Sequence, residues 1–157
     1  MEIREFREGD APALRAVFAS AIHGTASAYY TREQCDAWAP ADYDAAGWAR
    51  RIGALAPFVA EEGGEIVGYA DVQADGYIDH FFVAATAGRR GVGSALMRRI
   101  HEVAAARALS ALHAQVSLAA QPFFAHWGFA IEAVQQVEVR GVTMTNARMR
   151  KTLGRAA

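Results

Sequence analysis

The run Val83-Ala-Ala-Thr-Ala-Gly-Arg-Arg-Gly-Val-Gly-Ser-Ala-Leu-Met-Arg-Arg-Ile100 constrains the fold more than any other stretch of the chain. An apolar strand ends at Val83. Two arginines and three glycines follow, and an amphipathic helix opens at once. Glycine lets the backbone turn tightly and lie close to a ligand. The unpaired N–H groups of the helix's first turn, with the positive end of its dipole, then face an anion. Arg89 and Arg90 add charge at the same mouth. The run therefore predicts a phosphate or pyrophosphate site between a strand and a helix, or, at its plainest, a glycine-rich turn.

Two familiar phosphate loops fail on spelling. Gly88 to Gly93 has the glycine spacing of G-x-x-x-x-G-K-[ST], but Ser94 stands where lysine is required. Gly91-Val92-Gly93 begins a dinucleotide fingerprint, but its third small position is Leu96, and no acid lies between Ala111 and Gln115 to meet a ribose.

A third spelling fits. Arg90-Gly91-Val92-Gly93-Ser94-Ala95-Leu96-Met97, after Phe81-Phe82-Val83, resembles the acetyl-CoA loop of the GNAT N-acetyltransferases, written Q/R-x-x-G-x-G/A. Gly88 departs from it, standing where the family has Gln or Arg; Arg89 is the expected substitute. Downstream, Gln121-Pro122-Phe123-Phe124-Ala125-His126-Trp127-Gly128-Phe129 resembles the family's later helix, A-x-x-F-Y-x-x-x-G-F, with Ala120, Phe123, Gly128 and Phe129 in register. Thr25-Ala26, Tyr30-Thr31, Gln34, Ala37-Trp38, Tyr77-Ile78-Asp79, Thr145-Asn146 and Met149-Arg150 resemble its YafP-like branch.

The resemblance implies an acetyl-CoA-dependent N-acetyltransferase acting on a primary amine of a small molecule or peptide. Acetylation of a protein N-terminus or lysine, and a catalytically silent CoA-binding module, are the alternatives. Pyrophosphate is expected on the N–H groups of Arg90 to Ser94, with Arg89, Val92, Phe123 and Phe124 around the donor. Its pantetheine arm is expected along the backbone of Phe81, Phe82 and Val83, as an added strand. An N–H near Phe82–Val83 is the expected oxyanion donor. The family's tyrosine, which protonates the leaving thiolate, is replaced here by Phe124; Ser117 is the hydroxyl offered instead.

Acyl transfer needs a deprotonated amine, because an alkyl ammonium is no nucleophile. Tyr77, Asp79 and Phe81 alternate onto one strand face. Asp79 is the expected base, buried among Ile78, Phe81 and Phe82 and so raised in pKa, with Tyr77 bonding the same amine or water. Pairing with an arginine is the plainer role for Asp79. His80 is expected on the opposite face, packed or as a relay; His23 and His126 at the surface or capping; Glu61 and Asp71 towards the acceptor. Tyr29, Tyr30 and Trp38 wall the acceptor site or are core aromatics. No metal-ligand spacing occurs, so no metal is expected.

The chain has 157 residues, enough for one domain, 1–157, with a real core. Net charge is −1, giving no sign of nucleic-acid or anionic-membrane binding. No run approaches a membrane span, and the start lacks a signal peptide's apolar stretch. Cys35 is the only cysteine, which fits a cytoplasmic protein. Acetyl-CoA and an amine are the expected partners, with a homodimer possible.

Periodicity orders the elements. Glu2 to Phe6 alternates as a strand. A helix follows, with Asp10 as N-cap and Leu14, Val17, Phe18, Ala21 and Ile22 as its apolar stripe. Thr31 caps a second helix ending near Pro40, and Asp44 a third through Trp48 and Ile52. Pro57–Glu61 and Glu65–Gln73 form a hairpin about Gly63-Gly64, and Tyr77–Val83 a further strand. After the loop helix come a strand over Leu112–Leu118, a short helix over Ala120–Trp127 and a closing hairpin about Gly141. The order is α+β: a central mixed, mostly antiparallel sheet with helices on its faces, as in the GNAT fold.

Overall fold

The computed structural model describes residues 1–154; Arg155 to Ala157, the end of the expected 1–157 domain, lie outside the described residues. Eight strands and five α-helices follow in chain order. They are β1 (Glu2–Glu5), α1 (Ala11–Ser20), α2 (Arg32–Trp38), α3 (Ala45–Leu55), β2 (Phe58–Glu62), β3 (Glu65–Ala70), β4 (Tyr77–Ile78) and β5 (Phe81–Val83). Then come α4 (Val92–Ala106), β6 (Ala111–Ser117), α5 (Gln121–His126), β7 (Ala130–Val139) and β8 (Val142–Thr152).

The sheet is divided into two four-stranded halves, ordered β1-β2-β3-β5 and β4-β6-β8-β7. Every pairing is antiparallel except β4 with β6. The expected strand Tyr77–Val83 is thus two strands. Its first two residues pair with β6, its last three with β3, and Asp79-His80 form the crossing. Asp71 makes the break possible: its Oδ1 accepts the backbone N–H of Asp79 at 3.0 Å and of His80 at 2.6 Å. For the same reason β3 ends at Ala70 rather than Gln73.

Helices cover both faces. Leu96, Met97 and Ile100 of α4 and Phe124 of α5 pack with Ile78, Leu112, Val116 and Met149 on one side. Leu14, Val17 and Phe18 of α1, Cys35, Trp48 and Ile52 pack with Val59, Tyr69 and Met144 on the other. Burial of each large side chain contributes about 1.5–3 kcal/mol.

Most sequence-predicted stops and starts hold. Thr31 and Gln34 form a capping box on α2. Asp44 accepts from Gly47 N–H at the start of α3. Gly63 and Gly64 turn the β2–β3 hairpin at φ +60° and +81°. Asp10 does not cap α1 with its side chain; its carboxylate instead holds Arg4 at 2.9 Å and the Arg7 N–H at 2.8 Å. After Ser20 the chain widens into a π turn over Ala21–Thr25, then tightens into a 3₁₀ turn over Ala26–Ala28. Such a widened turn re-aims a helix end and is common at functional sites.

Candidate active site

Gly91 starts α4 at φ +80°, and Arg89, two residues earlier, also has a positive φ, +63°. Left-handed residues alternating with others in a tight turn aim neighbouring N–H groups to one concave side. Within α4 the first bonded amide is Ala95, which donates to Gly91 C=O at 3.0 Å. The N–H groups of Val92, Gly93 and Ser94 therefore have no helical partner. No acid stands in this first turn. Arg90 is half exposed and pairs with Glu62 at 3.1 Å. A Cβ on Gly93 would sit 3.3 Å from the Phe123 ring. A side chain at position 93 would crowd that ring, whereas Gly91 is favoured by its backbone angle.

Between the two half-sheets lies an apolar slot of about 210 Å³. Phe81, Phe82 and Val83 form one wall, Gly93, Phe123 and Phe124 the floor, and Ala21, Ile22 and Ala26 of the widened turn the far side. On β5, His80 C=O accepts from Asp71 N–H and Ala84 N–H donates to Val67 C=O. The alternation of an antiparallel ladder then commits Phe82 to β3 and turns the N–H groups of Phe81 and Val83 towards the slot.

The slot opens into a second cavity of about 480 Å³, and Trp38, Phe82 and Ser117 line both. Tyr77, Asp79 and His80 stand in the larger chamber, as do Tyr30, Trp48 and Asn146. The sequence placed Tyr77, Asp79 and Phe81 on one face and His80 on the other. The crossing changes this: Tyr77, Asp79 and His80 share the chamber, and Phe81 faces the slot.

Asp79 is exposed to the chamber rather than buried among Ile78, Phe81 and Phe82. It forms no ion pair with an arginine among the described residues. His80 is the buried member, 4 % exposed, packed against the Phe18, Trp48 and Phe82 rings and bonded through Nδ1 to the Tyr69 hydroxyl at 2.9 Å. Burial pushes its pKa down to about 3, with the field of Arg51 adding to the effect. Asp71, fully buried, is raised by desolvation and serves as a clamp for the backbone rather than as an acceptor-side group.

Tyr30 is structural as well as a chamber wall. Its hydroxyl donates to Thr145 C=O at 2.6 Å and accepts from Leu118 N–H at 3.0 Å, tying β8 to the end of β6. Tyr29 is exposed and lines neither cavity. His23 caps α2 through Ala39 C=O at 2.7 Å, and His126 is exposed. Phe124 is buried against Phe81 and Phe129 and brings no hydroxyl. Ser117 Oγ, at the junction, accepts from Ala120 N–H at 3.3 Å and keeps its own proton to donate. No group of three or more potential metal ligands occurs among the described residues. No helix among them is long and apolar enough to cross a membrane.

The sequence reading missed Arg15, Arg140 and Asn146, all chamber residues. Arg15 left a signal: Ala11 and Phe18, four before and three after it, put it on the buried face of α1. Asn146 Oδ1 is buried and has no hydrogen-bond partner among the described residues.

Comparison with known proteins agrees with this architecture. The model of the acetyltransferase (GNAT) domain family matches residues 26–153. YafP of Escherichia coli K12, described as an uncharacterised N-acetyltransferase, is 35% identical over 150 residues, 96% of this chain and 95% of its own. A GCN5-related N-acetyltransferase structure from Rhodopseudomonas palustris superposes with a TM-score of 0.92 at 30% identity, covering 97% of this chain and 95% of that one. The PaiA N-acetyltransferase of Thermoplasma acidophilum, solved with coenzyme A, shares the fold at a TM-score of 0.72 and 14% identity, over 97% and 98% of the two chains. With the loop, the divided sheet and these relatives in agreement, the chain belongs to the GNAT family of N-acetyltransferases and resembles its YafP-like branch.

Proposed function

We propose that this protein, as one domain, transfers the acetyl group of acetyl-CoA to a primary amine of a small molecule or peptide by direct attack on the thioester. One observation carries the reading: a narrow apolar slot and a wide polar chamber meet at Trp38, Phe82 and Ser117. A thioester reaching that junction from the slot meets an amine arriving from the chamber. The free amides of Val92, Gly93 and Ser94 suit the pyrophosphate, with Arg89 and Arg90 beside them, and the outward N–H groups on β5 suit the pantetheine arm. A relative of the same fold was solved with coenzyme A in place, which supports the donor.

Asp79 takes one proton from the acceptor ammonium, directly or through one water, and Tyr77 bonds the same amine or water. The amine's electron pair forms the C–N bond. Charge developing on the thioester oxygen is met by an outward β5 N–H, Phe81 or Val83 rather than Phe82. The C–S bond breaks with its electron pair on sulfur, and the nitrogen gives its second proton to solvent or, relayed through the Ser117 hydroxyl, to the thiolate. Ser117 is placed to donate to the thiolate, whose ordinary thiol pKa near 8.5 makes it a fair leaving group in any case. His80 is a poor base at a pKa of about 3, so the proton route belongs to Asp79.

The aromatic walls and the chamber volume favour a small acceptor over a protein chain. An amine panel assayed by thiol release tests the reading. In the same assay Asp79→Asn should lower turnover about 10²- to 10⁴-fold with acetyl-CoA affinity retained. Acetyl-CoA binding without thiol release from any amine, peptide or protein would favour the silent CoA-binding module. Unimpaired turnover by Asp79→Asn would hand the base role to solvent.

A further inference from the structure

We propose that the acceptor is a small zwitterion, whose amine faces Asp79, Asn146 and Ser117 and whose oxyanion, a carboxylate or a phosphonate, docks on Arg15 and Arg140. This rests on the acetyl-transfer reading and goes beyond it in naming the substrate class.

Two arginines are buried among the described residues, and their surroundings differ. Arg4, 8 % exposed, is matched by two carboxylates: Asp10 at 2.9 Å and Glu61 at 2.8 Å. Arg15, 7 % exposed, has none within 4 Å among the described residues. Its guanidinium donates one bond, to Pro40 C=O at 2.9 Å, and lies against the rings of Tyr43 (4.1 Å), Trp48 (4.9 Å) and Phe18 (5.0 Å). Those rings offset part of the desolvation cost. A buried cation still calls for an anion. Arg140 leans on the same helix end, donating to Ala37 C=O at 2.7 Å, and its charge acts on Arg15. Two guanidinium groups thus converge at one side of the chamber with most of their donors unused. Their planar forks suit a carboxylate or phosphonate.

The acids of the chamber do not fill that place. Asp44 is engaged in capping α3, and Asp79 stands with Tyr77 on another wall. At that other side Asn146 Oδ1, buried and unpartnered, is an acceptor suited to an amine N–H. Asn146 is the register partner of Ser117, which places it beside the junction. Arg140 lies at the β7–β8 turn, and Asn146 is four residues along β8 from Val142, roughly 14 Å of backbone. Both residues line the same cavity of about 480 Å³, which has room for a compact molecule with an ammonium at one end and an oxyanion at the other.

The test pairs binding with turnover. N-acetylated amino acids and aminophosphonic acids of different chain lengths are titrated by calorimetry in the presence of CoA, each beside its neutral amide or ester. The free amines and their neutral twins are assayed for thiol release. The expected result is tighter binding of at least one anionic member by about 10- to 100-fold over its twin, matching one or two charge-assisted hydrogen bonds. Arg140→Gln should erase most of that preference with acetyl-CoA affinity unchanged, and Arg15→Gln should repeat the result. The carboxylate and phosphonate arms decide which oxyanion is used. Neutral twins that bind and turn over as well as the anions overturn the inference and leave acetyl transfer standing. Selective anion binding without thiol release upholds the anion site and overturns the transfer.

Discussion

Gly93 is held by a ring rather than by its backbone angle. Any side chain there meets Phe123 at 3.3 Å and projects beside the free amides that open α4. Gly93→Val should weaken acetyl-CoA binding about 10- to 100-fold, the cost of one or two lost charge-assisted bonds, in a protein whose circular dichroism is unchanged. Calorimetric affinity equal to the parent would remove the loop from donor binding. The glycines were expected from the loop's spacing, and Phe123 and Phe124 from the resemblance to the family's later helix; Gly93 and both rings line one slot. Arg15 was partly legible, as a charge out of place on an apolar stripe. Asp79 lines the larger chamber, but alternation explains this only in part: local sequence does not reveal that the strand changes sheets beneath it and leaves it exposed.

Among the elements, the crossing between β4 and β5 governs the site. A strand reads the same whether its two halves pair with one neighbour or two, since alternation and β-propensity are properties of one segment and pairing is not. The hairpins and the helix stripes were legible for the opposite reason, being set by residues within a few positions of each other. Asp71 is the distant residue that permits the crossing. Asp71→Ala would leave the buried N–H of His80 and the partly buried N–H of Asp79 without their acceptor. At about 1–3 kcal/mol for each orphaned group, the expected loss is roughly 2–6 kcal/mol in urea unfolding, with weaker acetyl-CoA binding as the half-sheets lose their angle. Asp71→Asn keeps an acceptor oxygen and should lose much less. A stability of Asp71→Ala equal to the parent's would show that the backbone holds the crossing unaided.

For the whole molecule, burial of His80 ties folding to pH. Its folded pKa of about 3 lies below the ordinary 6.5, so between those values the unfolded chain binds the extra proton. Its contribution is therefore present above pH 6.5 and is lost as pH falls through the window, by at most about 1.4 kcal/mol per pH unit. Asp71, raised by burial, acts with the opposite sign above its ordinary 3.8, so the parent must be compared with His80→Gln. Unfolding free energies at pH 7 and pH 5 should fall further in the parent than in the variant. Equal pH dependence would mean that the imidazole takes its proton inside the fold.

The outward amides of Phe81 and Val83 also make the slot self-reporting. Donor binding by strand addition would close a ladder that the protein alone leaves open on one side. Deuterium uptake at these two amides should then be fast in the free protein and slowed by CoA, while Phe82, already bonded within the sheet, exchanges slowly throughout. Two backbone hydrogens would thereby give the occupancy of the slot without any assay of turnover, and equal exchange at all three would mean that the arm lies elsewhere.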